Sequence, residues 1–383
     1  MESTAPAVFD IGFVLLLAAV GGWLARRVGL PAVLGYLAVG LVVSPFTPGY
    51  VADRHQLQLF ADVGVVLLLF EVGIEIDPLE IGRERGRLFL VAPAQVVLST
   101  LLAGALGLVA GLRPAGAVLL GLCVALSSSV VVVNITRSRR RTTDAATDQV
   151  LLGWSVVQDM VGVAIAIVAV ISLGLESRSG PVALVLTLLY MAIAVVAAAL
   201  LPPLLRALHD EHDLFLIFTI ASALGLAGIG SVVFGIPLAL AAFVSGLAIT
   251  ESREAAEARE RLLPFRDLFA VLFFVAIGAL IDPSALLKGL GWLGLLLALL
   301  IAAKLIPVYA LARFARVSAR PLQVGIGLAQ IGEFSFVLAT IGLGHSLIPG
   351  ELYAAILASV VITIAASTVL VRVGHARPAL QPG

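Results

Sequence analysis

The chain has 383 residues, of which 61% are hydrophobic and 13% are charged, and its formal net charge at pH 7 is zero. Soluble domains carry about 45–50% apolar and about 25% charged residues, so the composition indicates an integral membrane protein with no basic surface for nucleic acid. The single cysteine, Cys123, excludes an intramolecular disulfide and a multi-cysteine metal site.

Thirteen apolar stretches follow one another along the chain, and a membrane-spanning helix needs about 20 mostly apolar residues. The pattern therefore predicts an all-α fold of about 13 transmembrane helices. Their expected limits are 8–25, 30–46, 57–76, 88–111, 115–134, 148–175, 181–204, 213–232, 235–250, 263–281, 288–311, 322–344 and 351–373.

The charges between these stretches are distributed unevenly. Nineteen of the 24 Lys and Arg residues fall in linkers on one side, four fall on the other side, and Lys304 lies within a span. By the positive-inside rule, this bias predicts a multi-pass inner (cell) membrane protein with its N-terminus outside and its C-terminus cytoplasmic. Glu2 and Asp10 precede the first apolar run, which is unlike the basic start of a cleavable signal peptide.

The two halves of the chain resemble each other. LPAVLGYLAVG at 30–40 is similar to IPLALAAFVSG at 236–246, and VLLLFEVGIEIDP at 66–78 is similar to VLFFVAIGALIDP at 271–283. The offsets are 206 and 205 residues, and seven spans separate the copies, so the second copy crosses the membrane in the opposite direction. Two inverted six-helix repeats are typical of secondary transporters.

In such folds the binding site lies near the midplane beside broken helices, which we expect to be the fifth span of each half. The first of these spans carries three central serines, namely Ser127, Ser128 and Ser129. The second carries three glycines followed by an acid, namely Gly325, Gly327, Gly332 and Glu333. The serine hydroxyls either supply oxygens to a cation or bond back to their own helix. We expect Glu333 to offset the positive end of the half-helix that follows it.

Two spans carry a charge near their middle, Asp159 beside Gln158 in the sixth and Lys304 in the eleventh. Charges within a membrane are costly and usually functional. Asp159 is therefore expected to bind a cation and a proton in competition, the alternative being a structural ion pair with Lys304. Gln158 offers either a carbonyl oxygen to the cation or an interhelical hydrogen bond.

Three roles remain open for Lys304. It could hold Asp159 until a cation displaces it, it could offset the negative ends of half-helices, or it could itself release a proton. A further acid, Glu71, lies about two-thirds of the way along the third span. It either lines the inner vestibule or pairs with an arginine near the inner surface.

Several of these segments together resemble the membrane domain of Kef-type potassium:proton antiporters, in the monovalent cation:proton antiporter-2 family. The resemblance rests on LLLFEVGIEIDP, ALSSS, VVQD at 156–159, FFVAIGALIDP, Lys304 and AQIGEFSF at 329–336. It implies a sodium:proton-antiporter-like fold with broken crossing helices, and Asp159 matches the family's ion-binding aspartate. It also implies K⁺ as the favoured cation and Na⁺ as the next.

The resemblance further implies a homodimer. Its dimerisation part would correspond approximately to 1–80 and 213–285, and its mobile, ion-carrying core to 88–175 and 288–373. The chain departs from the pattern by ending at Gly383, just after the last helix, without the cytosolic nucleotide-binding domain that gates Kef systems. Ligand gating is therefore not carried over from the family, and a separate regulatory subunit is one alternative to it. Glu71 departs as well, because the family usually has an apolar residue there.

The sequence thus predicts an antiporter that exchanges a monovalent cation for H⁺ by elevator-type alternating access. No enzymatic activity and no cofactor are expected. Three alternatives are an electrogenic Na⁺/H⁺ exchanger, a gated cation channel and a non-transporting membrane sensor. Gln158 argues against the first, because one carboxylate carries fewer protons than two, and the inverted repeats argue against the second.

Overall fold

A computed structural model describes residues 5–46, 54–75, 87–137, 142–172, 180–249, 254–317, 319–332 and 334–373. All regular structure in these residues is helical. In the first half the helices are α1 Ala5–Arg27, α2 Ala32–Val42, α3 Arg54–Glu75, α4 Leu88–Val109, α5 Pro114–Ala125, α6 Ser129–Arg137, α7 Ala145–Ser172 and α8 Gly180–Ala207. In the second half they are α9 His212–Val232, α10 Leu238–Leu247, α11 Ala255–Ala279, α12 Pro283–Lys288, α13 Leu290–Leu299, α14 Ile306–Phe314, α15 Pro321–Leu328, α16 Phe334–Gly344 and α17 Gly350–Val373.

The predicted all-α membrane fold is confirmed. Eight helical stretches of the described chain are long and apolar enough to cross a membrane, judged by length and composition, and four shorter apolar helices accompany them. Each of the thirteen predicted spans coincides with a described helix or with a pair of consecutive helices. One limit differs clearly: the tenth span was expected to begin at 263, whereas the helix α11 begins at Ala255 and includes the charged residues Glu257, Arg259, Glu260 and Arg261.

The chain divides into two compact units. The first unit comprises Met1–Gly22, Gly35–Ile81 and Val163–Ile281, and the second comprises Trp23–Leu34, Gly82–Gly162 and Asp282–Gly383. Both units draw segments from both halves of the sequence, as interleaved repeats require.

Close glycine contacts within the first unit reflect the repeat. A Cβ at Gly40 of α2 would overlap the backbone at Val275 of α11, and a Cβ at Gly246 of α10 would overlap the backbone at Phe70 of α3. Gly40 and Gly246 occupy equivalent positions of the two copies, 206 residues apart. Each copy therefore brings a short helix against a long helix of the other copy, at a distance that only glycine permits.

In the second unit, two spans are broken near their middle. The first has α5 and α6 on either side of 126–128, and the second has α15 and α16 on either side of the segment that follows Leu328. The serine run thus coincides with the first break. The expected glycine break is partly wrong, because Gly325 and Gly327 lie inside α15 and only Gly332 lies in the interruption.

The eleventh span is also irregular. Between α13 and α14, residues Leu300–Leu305 form a π-helical turn, with hydrogen bonds from i to i+5, and this turn carries Lys304. Pro307 follows at the start of α14. Such turns are rare and often occur at functional sites.

Candidate functional site

The two broken helices cross at their interruptions. The backbone nitrogen of Gly332 donates to the carbonyl oxygen of Leu126 over 3.0 Å, and the hydroxyl of Ser127 donates to the carbonyl oxygen of Leu328 over 2.8 Å. A Cβ at residue 332 would overlap the backbone of Ser127. The crossing therefore requires a glycine at this position. It also buries backbone N–H and C=O groups whose hydrogen bonds are not supplied by a helix.

Two glutamines satisfy amides of the first interruption. The N–H of Ser127 donates to Oε1 of Gln158 over 3.0 Å, and the N–H of Ser128 donates to Oε1 of Gln330 over 3.1 Å. In return, Nε2 of Gln158 donates to the carbonyl oxygen of Ala125 over 2.9 Å, and Nε2 of Gln330 donates to that of Ser128 over 3.2 Å. Both side chains are neutral, so they satisfy backbone groups of the interruption without adding a charge.

A further glutamine supports Gln158 from α4. Oε1 of Gln95 accepts a hydrogen bond of 2.5 Å from Nε2 of Gln158. Nε2 of Gln95 donates to Oγ of Ser99 over 2.9 Å and to the carbonyl oxygen of Ala125 over 3.2 Å. The sequence prediction did not single out Gln95 or Gln330. The signal that identified Gln158, a polar residue within an apolar span, applies to both of them.

Lys304 is fully buried, and its ammonium faces the ends of two half-helices. Nζ donates to the carbonyl oxygen of Leu126 over 2.8 Å and to that of Gln330 over 2.5 Å. Leu126 directly follows α5, and Gln330 lies just after α15. The last carbonyls of a helix carry a partial negative charge, so Lys304 neutralises two negative helix ends at once. This geometry corresponds to the second of the three roles predicted for it.

Asp159 lies on the α7 face that meets the first interruption. The residue is 1% exposed, and one turn further on, a Cβ at Gly162 would overlap the side chain of Leu126. The carboxylate also acts electrostatically on Lys304. One acid and one base are thus buried beside the crossing. In such low-dielectric surroundings, a change of charge at either group alters the free energy of the charged form of the other group.

The crossing thus unites five of the predicted site residues, namely Asp159, Gln158, Ser127, Ser128 and Lys304. Ser128 receives a hydrogen bond of 3.3 Å at Oγ from the N–H of Val131 and so caps α6, which Ser129 begins. Gln158 has committed its amide hydrogens, but Oε1 has a second lone pair, so cation ligation remains compatible with the structure. Glu333 lies outside the described residues.

Glu71 is placed elsewhere, in the first unit. Oε1 accepts a hydrogen bond of 2.6 Å from Nε of Arg259, and Oε2 accepts one of 2.8 Å from Nη1 of Arg266. Its side chain is only 3% exposed. Of the two alternatives for Glu71, pairing with arginine is the one that the structure contains, and both arginines belong to α11.

Comparison with known proteins identifies the family of the chain. The family model for the transmembrane part of sodium/hydrogen exchangers matches residues 15–373. The chain belongs to the sodium/hydrogen exchanger family.

Two individual relatives extend this result. The chain is 31% identical over 384 aligned residues to the Escherichia coli (strain K12) protein named "Putative cation/proton antiporter YbaL", covering 97% of this chain and 69% of that one. Its fold is similar to that of the sodium proton antiporter MjNhaP1 from Methanocaldococcus jannaschii, with a TM-score of 0.72 at 17% identity, covering 98% of this chain and 97% of that structure. The sodium/hydrogen exchanger fold therefore spans nearly the whole chain.

Proposed function

We propose that this exchanger family member is an antiporter that moves a monovalent cation against H⁺, with Asp159 as the group that binds either one. The observation that carries the proposal is that Asp159 is buried beside the crossing of two broken helices. There, Lys304 donates hydrogen bonds to a backbone carbonyl of each interruption. A buried carboxylate with a nearby cationic group can exchange a proton for a metal ion, because either one neutralises it. The family resemblance favours K⁺, and Na⁺ comes next.

The surrounding groups have complementary tasks in this proposal. Lys304 donates to the half-helix carbonyls of Leu126 and Gln330 and offsets these negative helix ends, while Asp159 binds the transported ion. The oxygens of Gln158 and of the serines at 127–129 are the candidate additional ligands, since hard cations prefer oxygen. Glu333 would support the start of α16, and Glu71 would stabilise the scaffold through Arg259 and Arg266 rather than bind the ion.

Transport would proceed by elevator-type alternating access. The approximate core 88–175 and 288–373 would move with Asp159, while 1–80 and 213–285 would form the interface of a homodimer. We place the N-terminus outside the inner membrane and the C-terminus in the cytoplasm, following the charge bias of the linkers. A separate subunit could regulate the cycle.

Reconstitution into liposomes that contain a pH-sensitive dye tests the proposal. Adding K⁺, Na⁺, Li⁺ or Rb⁺ in turn should move protons for at least one cation, and Asp159→Asn should abolish the signal in a folded protein. Asp282→Asn is the matched control, because Asp282 is a surface carboxylate whose capping bond to the N–H of Ser284 an asparagine retains. Full exchange by Asp159→Asn would refute the assignment of the site. A unitary current in a bilayer recording would instead indicate a channel.

A further inference from the structure

The first interruption contains a peptide group that two side chains hold from opposite ends. Its carbonyl, that of Leu126, accepts a hydrogen bond from Nζ of Lys304, and its N–H, that of Ser127, donates to Oε1 of Gln158. A trans peptide is planar, and its C=O and N–H point in opposite directions. Lys304 and Gln158 together therefore fix the orientation of this peptide plane.

The second interruption repeats this arrangement with a different side chain. The carbonyl of Gln330 accepts from Nζ of Lys304 over 2.5 Å. The N–H of Ile331, which belongs to the same peptide group, donates to Oγ1 of Thr363 in α17 over 3.2 Å. All of these residues are buried, so the peptide group depends on the protein for its hydrogen bonds. Thr363 thus has the same place in the second interruption that Gln158 has in the first.

The hydroxyl of Thr363 is itself oriented by its own helix. It donates to the carbonyl oxygen of Val360 over 3.3 Å, so its hydrogen is used there and its lone pairs are left to accept from Ile331. One turn further along α17, Oγ of Ser367 donates to the carbonyl oxygen of Ile326, in the last turn of α15, over 2.8 Å. Two hydroxyls of α17 therefore hold backbone groups on both sides of Leu328.

Gln158 and Thr363 occupy equivalent positions of the inverted repeat. Thr363 follows Gln158 by 205 residues, which is the offset between the two copies of the segment that ends in Asp-Pro. The helices that carry them, α7 and α17, are the last spans of the two halves. Gln158 is followed by Asp159, whereas Thr363 is followed by the apolar Ile364. The second copy therefore retains the group that anchors the peptide plane but has no acid beside it.

We propose that Thr363 is a positioning residue for cation exchange, which rests on the antiport function proposed above. Through the peptide group of Gln330 and Ile331, it keeps a backbone carbonyl directed at Lys304. When that carbonyl turns away, Lys304 loses one of its two carbonyl acceptors, and the carboxylate of Asp159, which acts on it electrostatically, offsets more of its charge. The ammonium then competes with the cation for Asp159.

Transport kinetics with K⁺ and with Na⁺ test the positioning role. Thr363→Val removes the hydroxyl at similar volume. It should raise the apparent KM for the cation by about three- to tenfold, as expected for one lost hydrogen bond. The kcat should change much less, because Asp159 itself is retained. Thr363→Ser keeps the hydroxyl and should restore the apparent KM. An unchanged apparent KM in Thr363→Val, or no recovery in Thr363→Ser, would overturn the proposal.

The matched control lies on the same helix. Thr368 is also buried in α17, but its hydroxyl donates over 2.8 Å to the carbonyl oxygen of Ile364 within that helix. Thr368→Val should therefore leave the apparent KM unchanged, and a rise equal to that in Thr363→Val would contradict a specific role for Thr363. If the protein does not fold with valine at 363, Thr363→Ala removes the same hydroxyl without adding a methyl group and takes its place.

Thermal unfolding in detergent tests the link to Lys304 without any transport. Thr363→Val, Lys304→Met and the double variant form a mutant cycle. If Thr363 acts through the carbonyl that Lys304 contacts, Thr363→Val should lower the melting temperature less in the Lys304→Met background than in the unmodified protein. Equal losses in both backgrounds would overturn the proposal. Thr368→Val should give equal losses. If exchange survives in Asp159→Asn, the proposed function fails by itself, whatever the cycle shows.

Discussion

The backbone nitrogen of Gly332 lies 3.0 Å from the carbonyl oxygen of Leu126, and this hydrogen bond joins the interruption of one broken helix directly to that of the other. Because a Cβ at residue 332 would overlap the backbone of Ser127, the two interruptions can approach this closely only when residue 332 is glycine. The contact fixes the carbonyl of Leu126, which in turn accepts a hydrogen bond from Lys304.

Gly332→Ala should therefore abolish exchange and lower stability by about 1–3 kcal/mol, the usual cost of overpacking a tight contact. Thermal unfolding in detergent and liposome exchange together measure this. Gly325→Ala is the matched control, because a Cβ there would meet only ordinary contacts, no closer than 3.5 Å, inside α15. It should be neutral or slightly stabilising. Equal behaviour of the two variants would show that the crossing tolerates a side chain.

Lys304→Met retains the volume of the side chain but removes its charge. It should destabilise the protein by about 3–5 kcal/mol, because Asp159 then lacks a nearby buried positive charge. Asp159→Asn added to this variant should recover only part of the loss, since the carbonyls of Leu126 and Gln330 still lack their donor. Melting curves of the two single variants and the double variant measure the coupling. Additive effects would mean that the two residues do not interact.

Glu71→Gln should lower stability by about 1.5–3 kcal/mol, because two arginines lose the buried carboxylate that they share. The apparent KM for the cation should stay unchanged, since Glu71 contacts Arg259 and Arg266 and is assigned no role in ion binding. Asp267→Asn is a suitable control, because this carboxylate contacts the same Arg266 but its side chain is 67% exposed. It should change stability by less than about 1 kcal/mol. A raised apparent KM in Glu71→Gln would indicate that Glu71 does take part in binding the ion.

The charged and polar residues within apolar spans show how much of the site could be predicted from the sequence. Asp159, Gln158 and Lys304 were recognisable because a charge or amide in an apolar span is costly in any fold. The helix count followed from span length and from the alternation of arginines between the two sides, and the inverted repeat followed from similar segments about 205 residues apart. Negative half-helix ends were one of the three roles predicted for Lys304, but the individual carbonyls of Leu126 and Gln330 were not predictable, because backbone groups have no signature in residue types. The position of the second break was misjudged for a related reason: Gly325 and Gly327 lie inside α15, where only Gly327 packs closely, against Leu151, and only the three-dimensional crossing distinguishes them from Gly332.

Asp144 gives a prediction about pH at the start of α7. The backbone N–H of Thr147, which donates to Oδ1 over 2.8 Å, is the main cause that lowers the pKa of Asp144 below its ordinary value of 3.8, and Arg320 contributes as well. A lowered pKa in the folded state means that the ionised carboxylate stabilises the protein above that ordinary value, and that this contribution is lost as pH falls through the lowered pKa. Asp144→Asn keeps a capping oxygen but lacks the charge. It should therefore be less stable than the unmodified protein at pH 7, and the difference should narrow below pH 3.8. A difference that is independent of pH would contradict this account.

The charge balance of exchange is a further test. If Lys304 stays protonated and Asp159 carries either one proton or one monovalent cation, the moving part bears the same net charge in both directions. Exchange should then be one for one and independent of membrane potential, which acts only on net charge that moves. Measurements with Na⁺ or Li⁺, if either is carried, avoid interference from a K⁺-clamped potential. Gln158→Asp adds a second acid and should make the rate follow voltage. Voltage-dependent exchange by the unmodified protein would show that Lys304 also releases its proton.

The π-helical turn at Leu300–Leu305 makes the length of the eleventh span part of the site. Its hydrogen bonds from i to i+5 enclose one residue more than the i to i+4 bonds of an α-helix, so removing one residue here would convert the turn to ordinary α-helix while α13 and α14 keep their register. Lys304 lies inside the turn, so its side chain would change direction and lose its contacts with Leu126 and Gln330, although α13 and α14 keep their packing. A single-residue deletion in this turn should thus act as a substitution of Lys304 would, although every residue of the crossing is still encoded. Insertions and deletions, which loops of membrane proteins usually tolerate, are expected to be as damaging here as the loss of a charge.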